Sequence, residues 1–370
     1  MAIDLKVAQL RKRKGISQQE LAEHLGVTFQ SVSKWETKST FPDITLLPEI
    51  ADFFEVSVDE LLGIVPIRGA AYIPRDTDNR ETWDNREQLI ENNRPFFWND
   101  DYLAYLVKEV WKLDEPADLI EFCCCDGEFG KRLMKLLPVG STYTGVDSQF
   151  LIKKAEENFK NETYPASFLA SDLYEVKFKK KYDLCVCQAS LRHMNQPVRI
   201  LEEMKEAVKE GGMVICAEVN REIENVGTYI DGIAYDRMCA SFDWRKLWLV
   251  ELKREGRDYA AGVRTPFYMQ RIGLRDVDVR LNDKVTFVTP SHKDYSKIRD
   301  AWIAFQGYED PDSGSVSEDM ADFFMSRGYK RTEVEALYRF RKEIKDYIEE
   351  NREQLSFLHT SGFLISYGRR

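Results

Sequence analysis

The sequence predicts a doubly wound α/β sheet preceded by a separate all-α domain, and two patterns support this. Within residues 118–147, an apolar run, a glycine-containing turn, a helical apolar pattern and a second apolar run ending in an acid follow one another. This is the order of a βαβ unit, and alternating apolar strands and amphipathic helices continue to residue 219. Residues 1–64 instead carry helix caps and helical apolar spacing.

Composition and charge indicate an ordinary globular protein of two or three domains. Hydrophobic residues make up 43% and charged residues 31% of the 370 residues, which is typical of soluble proteins. The chain has no run of about 18 apolar residues and its N-terminus lacks the apolar core of a signal peptide, so we expect a cytoplasmic protein. The net charge of −10 argues against a protein that coats nucleic acid everywhere, although the first 40 residues carry an excess of basic side chains.

The seven cysteines lie mostly within apolar runs and form no CxxC pair. Free, buried thiols in a reducing compartment are therefore expected. The three consecutive cysteines at positions 123–125 would need further ligands at suitable spacing to hold a metal ion. No metal site is predicted.

Residues 1–64 are predicted to form a domain of short helices. Ser17 to Glu20 has the pattern of a capping box before a second helix, and Thr28 caps a third helix that ends near Glu36. Gly26 lies in the short turn between them, and two helices joined in this way form a helix-turn-helix. The apolar positions expected to form the core are Leu10, Leu21, Ala22, Leu25, Val32, Trp35, Leu47, Ile50, Ala51, Phe54 and Leu61.

The segment LRKRKGISQQELAEHLGVTFQSVSKWE, continued by ADFFEVSVDELLG, resembles the phage repressor and Cro-like (XRE) family over about 60 residues. The resemblance implies that the third helix enters the major groove of double-stranded DNA. Its contact positions fall on Phe29, Gln30, Ser33 and Lys34 for base edges and on Gln18 for a phosphate. Gln30 can pair with adenine and Lys34 can reach guanine acceptors. Such domains usually bind as dimers, so a homodimer is expected. The alternative is that the helical domain serves dimerisation or contacts with other proteins and does not bind DNA.

Residues 65–94 shift in composition to Arg, Asp, Asn and Glu with few branched apolar residues, which is typical of a linker. Asn99 and Asp100 then cap an amphipathic helix predicted over residues 102–111. A helix at this place either packs on the sheet edge or closes a ligand site, and the sequence leaves both roles open.

The βαβ unit carries two acids where ligands are expected, because parallel sheets bind ligands at the carboxyl ends of their strands. Glu121 lies at the end of the first strand. Asp147 ends the second strand, 20 residues after Gly127. This is about the separation at which an acid meets ribose hydroxyls in such units. A plain surface acid is the alternative reading of Asp147.

The rest of the chain continues the alternation and then adds insertions. Helices are predicted over residues 151–159 and 199–209, and strands over residues 166–170, 182–187 and 213–219. Segments 276–290 and 357–367 alternate like strands and would form a terminal antiparallel pair. Residues 222–265 are predicted to form a helical lid, with simple core packing of their aromatic residues as the alternative. Residues 292–352 are predicted to form a helical insertion that either lines the substrate pocket or forms a dimer surface. The lid aromatics are Tyr229, Tyr235, Phe242, Trp244 and Trp248.

Four segments, IEFCCCDGEFG, YTGVD, FLASDLYE and YDLCVCQASLRHMNQPVRILEEMKEAVKEGGMVICAE, resemble the class I S-adenosylmethionine-dependent methyltransferases in order and spacing. The resemblance covers about 100 residues and implies a Rossmann-like domain over residues 95–370 with S-adenosylmethionine as cofactor. Asp147 would accept the ribose hydroxyls, and Asp172 would face the adenine amino edge. The implied cofactor-binding residues are Glu121, Cys123, Cys125, Gly127, Asp147, Ser148, Asp172, Leu173 and Gln188, with Gln188 beside the methyl group.

Cys123 and Cys125 stand where this family usually has glycine. Glycine permits backbone angles that other residues rarely adopt and lets a ligand approach closely. The two replacements are therefore expected to bear on cofactor affinity and not on the fold.

The loop after the fourth strand bears on the substrate. DNA methyltransferases carry an Asp/Asn-Pro-Pro-Tyr run or a Pro-Cys nucleophile at this place, whereas this chain reads QASLRHM, so DNA methylation is not expected. His193 is a candidate general base for a hydroxyl substrate, and ordering of the loop is its alternative role.

We therefore predict a methyltransferase acting on a small molecule, fused to a sequence-specific DNA-binding domain. Two alternatives stay open. One is a non-catalytic transcriptional regulator that senses S-adenosylmethionine or a metabolite, and the other is an RNA or protein methyltransferase.

Overall fold

The computed structural model describes residues 3–64, 67, 96–171, 173–174, 176–194, 196–239, 242–255, 258–308 and 316–370. The predicted linker at 65–94 (Ile67 apart) and Asp172 lie outside the described residues. Within the described ranges, no helix combines the length and the apolar character needed to cross a membrane.

The N-terminal part folds into short helices as predicted: α1 (Val7–Lys14), α2 (Gln18–His24), α3 (Phe29–Glu36), α4 (Leu47–Phe53) and α5 (Val58–Leu61). The predicted capping box forms, because the Ser17 hydroxyl accepts from the Glu20 amide and the Glu20 carboxylate accepts from the Ser17 amide. Thr28 caps α3 through the amide of Ser31. Every position expected in the core is buried except Leu47, which is partly buried.

A seven-stranded sheet forms the centre of the second half, with the strand order β3-β2-β1-β4-β5-β10-β7. Its strands are β1 (Asp118–Phe122), β2 (Thr142–Asp147), β3 (Ala166–Ala170), β4 (Tyr182–Gln188), β5 (Val208–Val219), β7 (Arg275–Leu281) and β10 (Phe363–Arg369). The first five strands pair in parallel, and β10 is antiparallel to both of its neighbours. The predicted doubly wound α/β class is confirmed.

Helices cover both faces of this sheet: α6 (Asp100–Tyr105, continued by a π-turn over Leu106–Val110), α7 (Glu128–Met134), α8 (Gln149–Phe159), α9 (Pro197–Ala207) and α13 (Ala261–Arg271). The environment of β4 explains the apolar run in its sequence. Leu184 and Val186 pack into the core beneath α6 and α7, while Cys185 and Cys187 pack into the core beneath α9. Both faces of the strand are therefore buried, as in parallel sheets generally.

The predicted terminal antiparallel pair divides between two sheets. β7 pairs with β10 in the large sheet, whereas β8 (Val285–Val288) pairs with β9 (Phe357–Thr360) in a small antiparallel sheet of order β6-β9-β8. The chain turns between the sheets at Gly362, whose φ of +64° is one that glycine adopts readily. The third strand, β6 (Thr228–Ile230), lies inside the segment predicted as a helical lid, so that prediction was incomplete.

The remaining helices belong to the two insertions: α10 (Arg221–Val226), α11 (Tyr235–Cys239), α12 (Trp244–Glu255), α14 (Tyr295–Phe305), α15 (Glu318–Met325) and α16 (Arg331–Glu350). The insertions pack against each other through an aromatic cluster that includes Phe242, Phe324 and Tyr329. A buried ion pair between Arg327 and Glu251 joins them as well, at 2.5 Å.

Candidate active site

A cavity of about 1110 Å³ lies along the carboxyl ends of β1, β2, β4 and β5. The loops that follow these strands form its floor, and residues of both insertions form its walls. Ligands of α/β sheets bind at this edge. The edge is therefore open beside Asp147, where the sequence places a nucleoside.

Asp147 ends β2 with its carboxylate fixed by two backbone amides. Its Oδ2 accepts from the amide of Cys125 at 2.8 Å, and its Oδ1 accepts from the amide of Ser148 at 2.7 Å. Burial raises the pKa of Asp147, and the two amides oppose that rise. Since a carboxylate has about four acceptor positions, both oxygens keep a lone pair for a diol. The geometry fits ribose hydroxyls.

Glu121 lies beneath the loop of residues 123–127 with 2% of its surface exposed. Its Oε2 accepts from the Tyr143 hydroxyl at 2.6 Å and from the Gly130 amide at 3.1 Å. Burial is the largest influence on this group and raises its pKa to about 8, although both donors oppose the rise. The carboxyl group is therefore mostly protonated at neutral pH.

The cysteines that replace glycine adopt the backbone conformation that glycine would. The φ angles of Cys123 and Cys125 are +53° and +52°, in the left-handed region, where a non-glycine residue costs about 1–3 kcal/mol. Gly127, at the start of α7, has a φ of +77°, and a Cβ atom there would lie 2.4 Å from the Phe159 ring. The loop thus holds two cysteines in a backbone conformation that glycine adopts readily.

The loop after β4 is tied to the segment that precedes α6. Gln188 Oε1 accepts from Trp98 Nε1 at 2.6 Å, and the Trp98 indole stacks on Phe129 with 5.2 Å between ring centroids. Phe97 and Trp98 both border the cavity, whereas the apolar side of α6 packs on the sheet. The helix itself therefore takes the first of the two predicted roles and packs on the sheet, and the residues before it border the cavity.

Glu218 near the end of β5 holds the same loop from below and was missed from the sequence. It has no exposed surface, and its Oε1 accepts from the amides of Ser190 and Leu191, each at 2.9 Å. Burial raises its pKa to about 7 against these hydrogen bonds. The sequence could have indicated Glu218, because it is an acid directly after the apolar run MVICA.

His193 borders the cavity beside Arg192, whose Nε donates to His193 Nε2 at 3.0 Å. A ring nitrogen that accepts carries the lone pair, so the imidazole is neutral in this arrangement. To act as a general base, His193 would have to release this hydrogen bond. Its catalytic role stays a prediction.

Four of the five predicted lid aromatics line the cavity, namely Tyr235, Phe242, Trp244 and Trp248. Tyr229 instead lies on the outer face of β6 and is 37% exposed. The helical insertion adds further aromatic side chains to the wall: Phe305, Tyr308 and Phe340. Leu173, predicted beside the adenine, is buried in the core beneath the sheet.

The predicted DNA-contacting residues lie mainly on the outer side of α3. Gln30 and Lys34 are exposed, Ser33 is partly exposed, and the Phe29 side chain is 44% exposed. Gln18 donates from Nε2 to Glu36 Oε2 at 2.7 Å. Arg11 of α1 also binds Glu36, so this one carboxylate joins α1, α2 and α3 and holds the Gln18 side chain against α3. The roles of these residues in DNA contact stay predictions.

Comparison with known proteins agrees with the two halves of the fold. Residues 7–61 match the family model described as helix-turn-helix, and residues 120–216 match the family model described as a methyltransferase domain. The chain therefore joins a helix-turn-helix domain to a methyltransferase domain.

Individual relatives resemble one domain each. The chain is 42% identical over 62 residues to the HTH-type transcriptional activator BcrR of Enterococcus faecalis, covering 17% of this chain and 30% of that protein. It is 31% identical over 125 residues to an uncharacterised methyltransferase of Schizosaccharomyces pombe, covering 32% of this chain and 44% of that protein. The chain thus spans less than half the length of these two curated relatives.

A solved structure of an S-adenosylmethionine-dependent methyltransferase from Thiobacillus denitrificans, in complex with S-adenosyl-L-homocysteine, aligns at 13% identity and a TM-score of 0.41. The alignment covers 81% of this chain and 100% of that one. A similarity this distant gives no information about activity.

Proposed function

We propose that the protein is an S-adenosylmethionine-dependent methyltransferase acting on a small molecule, with a sequence-specific DNA-binding domain at its N-terminus. The observation that carries this proposal is the open cavity beside Asp147, whose carboxylate is fixed by the amides of Cys125 and Ser148. No other described acid at the sheet edge is held in this way with both oxygens available to a diol.

Different residues of the cavity would bind different parts of the cofactor. Asp147 would bind the ribose, the 123–127 loop the methionine part, and Gln188 would lie beside the methyl group. When bound, S-adenosylmethionine supplies a methyl group whose bond to sulfur breaks as a lone pair of the acceptor bonds to the carbon. Such a displacement needs mainly alignment of the reactants and exclusion of water, and the two insertions wall the cavity for both purposes.

A small-molecule acceptor fits the shape of the site better than a macromolecule. The reacting edge is enclosed by aromatic side chains from α12, α14 and α16, and pockets of this kind bury most of a small ligand's surface. An RNA or protein acceptor would have to enter the same enclosed space. We place the activity in the class of methyl transfer from S-adenosylmethionine.

The N-terminal domain is proposed to bind a palindromic DNA site as a homodimer in the cytoplasm. The exposed side chains of Gln30 and Lys34 on α3 are of types that read base edges in the major groove. DNA is then a partner that brings the enzyme, or its regulatory effect, to particular genes.

A non-catalytic regulator is the second candidate function. The left-handed conformations of Cys123 and Cys125 favour it, because they place two thiols where a glycine loop would leave room for the cofactor. Under this alternative, the same cavity binds S-adenosylmethionine as a signal.

Transfer of a labelled methyl group tests the proposal. The full chain is incubated with methyl-labelled S-adenosylmethionine and with separate small-molecule, RNA and protein fractions. Label is expected in the small-molecule fraction, and Asp147→Ala is expected to abolish it. Label found only in RNA or protein would contradict the small-molecule acceptor, and the absence of label in every fraction would favour the non-catalytic regulator.

A further inference from the structure

We propose that the methyl acceptor is a flat, largely apolar molecule bearing a carboxylate, and that Arg192 binds this carboxylate. The inference rests on the proposed function, since it names the substrate class of the same cavity.

The arginines that line the cavity differ in what already binds them. Arg132 forms ion pairs with Asp100 and Glu128, and Arg221 pairs with Glu224. Arg341 donates to the carbonyl oxygens of Gln306 and Gly307.

Arg192 is the exception among these four. Its Nε donates to the ring of His193, while its Nη1 is buried and has no hydrogen-bond partner among the described residues. No described carboxylate lies within ion-pair distance of it. Buried donors are almost always paired in folded proteins, and a guanidinium suits a carboxylate through two parallel hydrogen bonds. A ligand carboxylate is therefore the expected partner.

The backbone holds Arg192 near the reacting centre. Glu218 fixes the loop through the amides of Ser190 and Leu191, and Arg192 follows directly. Gln188, predicted beside the methyl group, lies at the start of the same loop. An acid bound by Arg192 would thus have its nucleophile close to the transferred methyl group.

The charges around Arg192 place it on the acceptor side of the cavity. Burial lowers its pKa to about 10 and the nearby Arg221 lowers it as well, while Glu224, Glu218 and Tyr259 raise it. Glu218 lies in β5, Arg221 and Glu224 lie in α10, and Tyr259 lies just before α13, so these neighbours belong to other parts of the chain than Asp147 and the 123–127 loop. The methionine carboxylate of the cofactor is expected at that loop, so Arg192 is assigned to the acceptor.

The rest of the wall on this side is aromatic. Phe242, Trp244 and Trp248 line the cavity from the lid, and Trp248 stacks on Tyr259 with 6.3 Å between ring centroids. Aromatic walls bind flat apolar bodies through large contact areas. Together with the Arg192 guanidinium, they suit an aromatic or similarly flat carboxylic acid.

A matched pair of probes tests the inference directly. The full chain, loaded with S-adenosylhomocysteine, is titrated with naphthoate and with its neutral amide, naphthamide, while the fluorescence of the cavity tryptophans is followed. Naphthoate is expected to bind about tenfold more tightly, as one charge-assisted hydrogen-bond pair requires. Arg192→Gln should bring the two affinities together, and Arg192→Lys should restore part of the difference. Arg132→Gln, which alters an arginine that already has its ion pairs, should keep the preference.

Three outcomes overturn the inference: equal affinity for the two probes, no binding of either, or a preference that survives in Arg192→Gln. A parallel titration shows whether the carboxylate bound by Arg192 belongs to the cofactor or to the methyl acceptor. If Arg192→Gln weakens S-adenosylhomocysteine but not methylthioadenosine, which lacks the carboxylate, Arg192 serves the cofactor and the inference fails while the proposed function stands. If the native chain does not bind S-adenosylhomocysteine at all, the proposed function itself fails.

Discussion

At the scale of single residues, the cavity is notable for residues other than glycine in left-handed backbone conformations. Cys123, Cys125 and Ala189 border the cavity, and all three have positive φ angles without being glycine. Such conformations cost free energy of folding and persist only where the surrounding structure imposes them. The two cysteines therefore add side chains to the cavity lining and strain to the backbone of the loop.

Cys125→Gly is expected to stabilise the protein by about 1 kcal/mol, because relief of the left-handed strain outweighs the greater freedom of glycine in the unfolded chain. The measurement is the urea midpoint of unfolding. Cys124→Gly is the matched control: Cys124 is buried and has no positive φ, so the same substitution should lower the midpoint. A lower midpoint for Cys125→Gly would contradict the strain at this position.

Buried acids give the protein a characteristic pH dependence of stability. The pKa of Glu121 is raised from 4.5 to about 8, so the folded chain binds a proton that the unfolded chain has lost between these values. Its contribution is complete below pH 4.5 and is lost as the pH rises towards 8, with a slope of up to about 1.4 kcal/mol per pH unit. Glu121→Gln should flatten this slope over the whole window, as measured by urea unfolding between pH 5 and 8.

Glu218→Gln provides the comparison, since the pKa of Glu218 is raised only to about 7. This variant should flatten the slope below pH 7 and leave the decline between pH 7 and 8 in place. If both variants keep the full slope of the native protein, the two carboxyl groups are ionised when folded and the account of their burial is wrong.

At the scale of elements, the local sequence pattern was enough to predict the large sheet and the helix caps. The small sheet depends on tertiary contacts that no local pattern reveals. Strands such as β4 are apolar on both faces and show in sequence, and caps such as Ser17 and Thr28 need only neighbouring residues. The small sheet could not be predicted from the local sequence. β6 has three residues, and its pairing with β9 depends on partners 131 positions apart, such as Thr228 and His359.

The site divides in the same way. Glu121 and Asp147 lie at the carboxyl ends of two strands of one βαβ unit, so spacing along the chain was enough to indicate them. Trp98 reaches Gln188 across 90 positions, and the place of Arg192 depends on how β5 supports the loop after β4. No local pattern encodes these contacts, because they arise only when distant loops meet at the sheet edge.

The two insertions are joined by a buried ion pair whose loss should be costly. Glu251 and Arg327 are each 2% exposed at their side chains, and removal of one partner from a buried pair typically costs about 3–5 kcal/mol. Arg327→Met is therefore expected to increase amide hydrogen exchange in α12 and α15. The double variant Glu251→Leu with Arg327→Met should recover most of the protection, and equal exchange in the single variant and the native protein would contradict this role.

At the scale of the whole molecule, an acidic chain carries a helix-turn-helix domain. Because the net charge is −10, the proposed binding to DNA depends on the local surface of α3. Binding should weaken with salt, because neutralised phosphates release counterions.

Gln30→Ala combined with Lys34→Ala is expected to abolish binding to a palindromic site selected from random sequences, at about 1–3 kcal/mol per lost base contact. Gel shifts at several salt concentrations provide the measurement. Lys342→Ala, on the exposed face of α16, is the control and should bind as the native protein does. Unchanged binding in the double variant would place recognition on another surface.

Asp147 at the sheet edge is proposed to hold the ribose of a bound nucleoside. Calorimetric titration of the full chain with S-adenosylhomocysteine tests it most directly, with Asp147→Ala as the variant and Asp346→Ala, an exposed acid on α16, as the control. We expect the native chain and the control to bind, and Asp147→Ala to bind about tenfold more weakly or worse. No binding by the native chain, or equal affinity in Asp147→Ala, would contradict it.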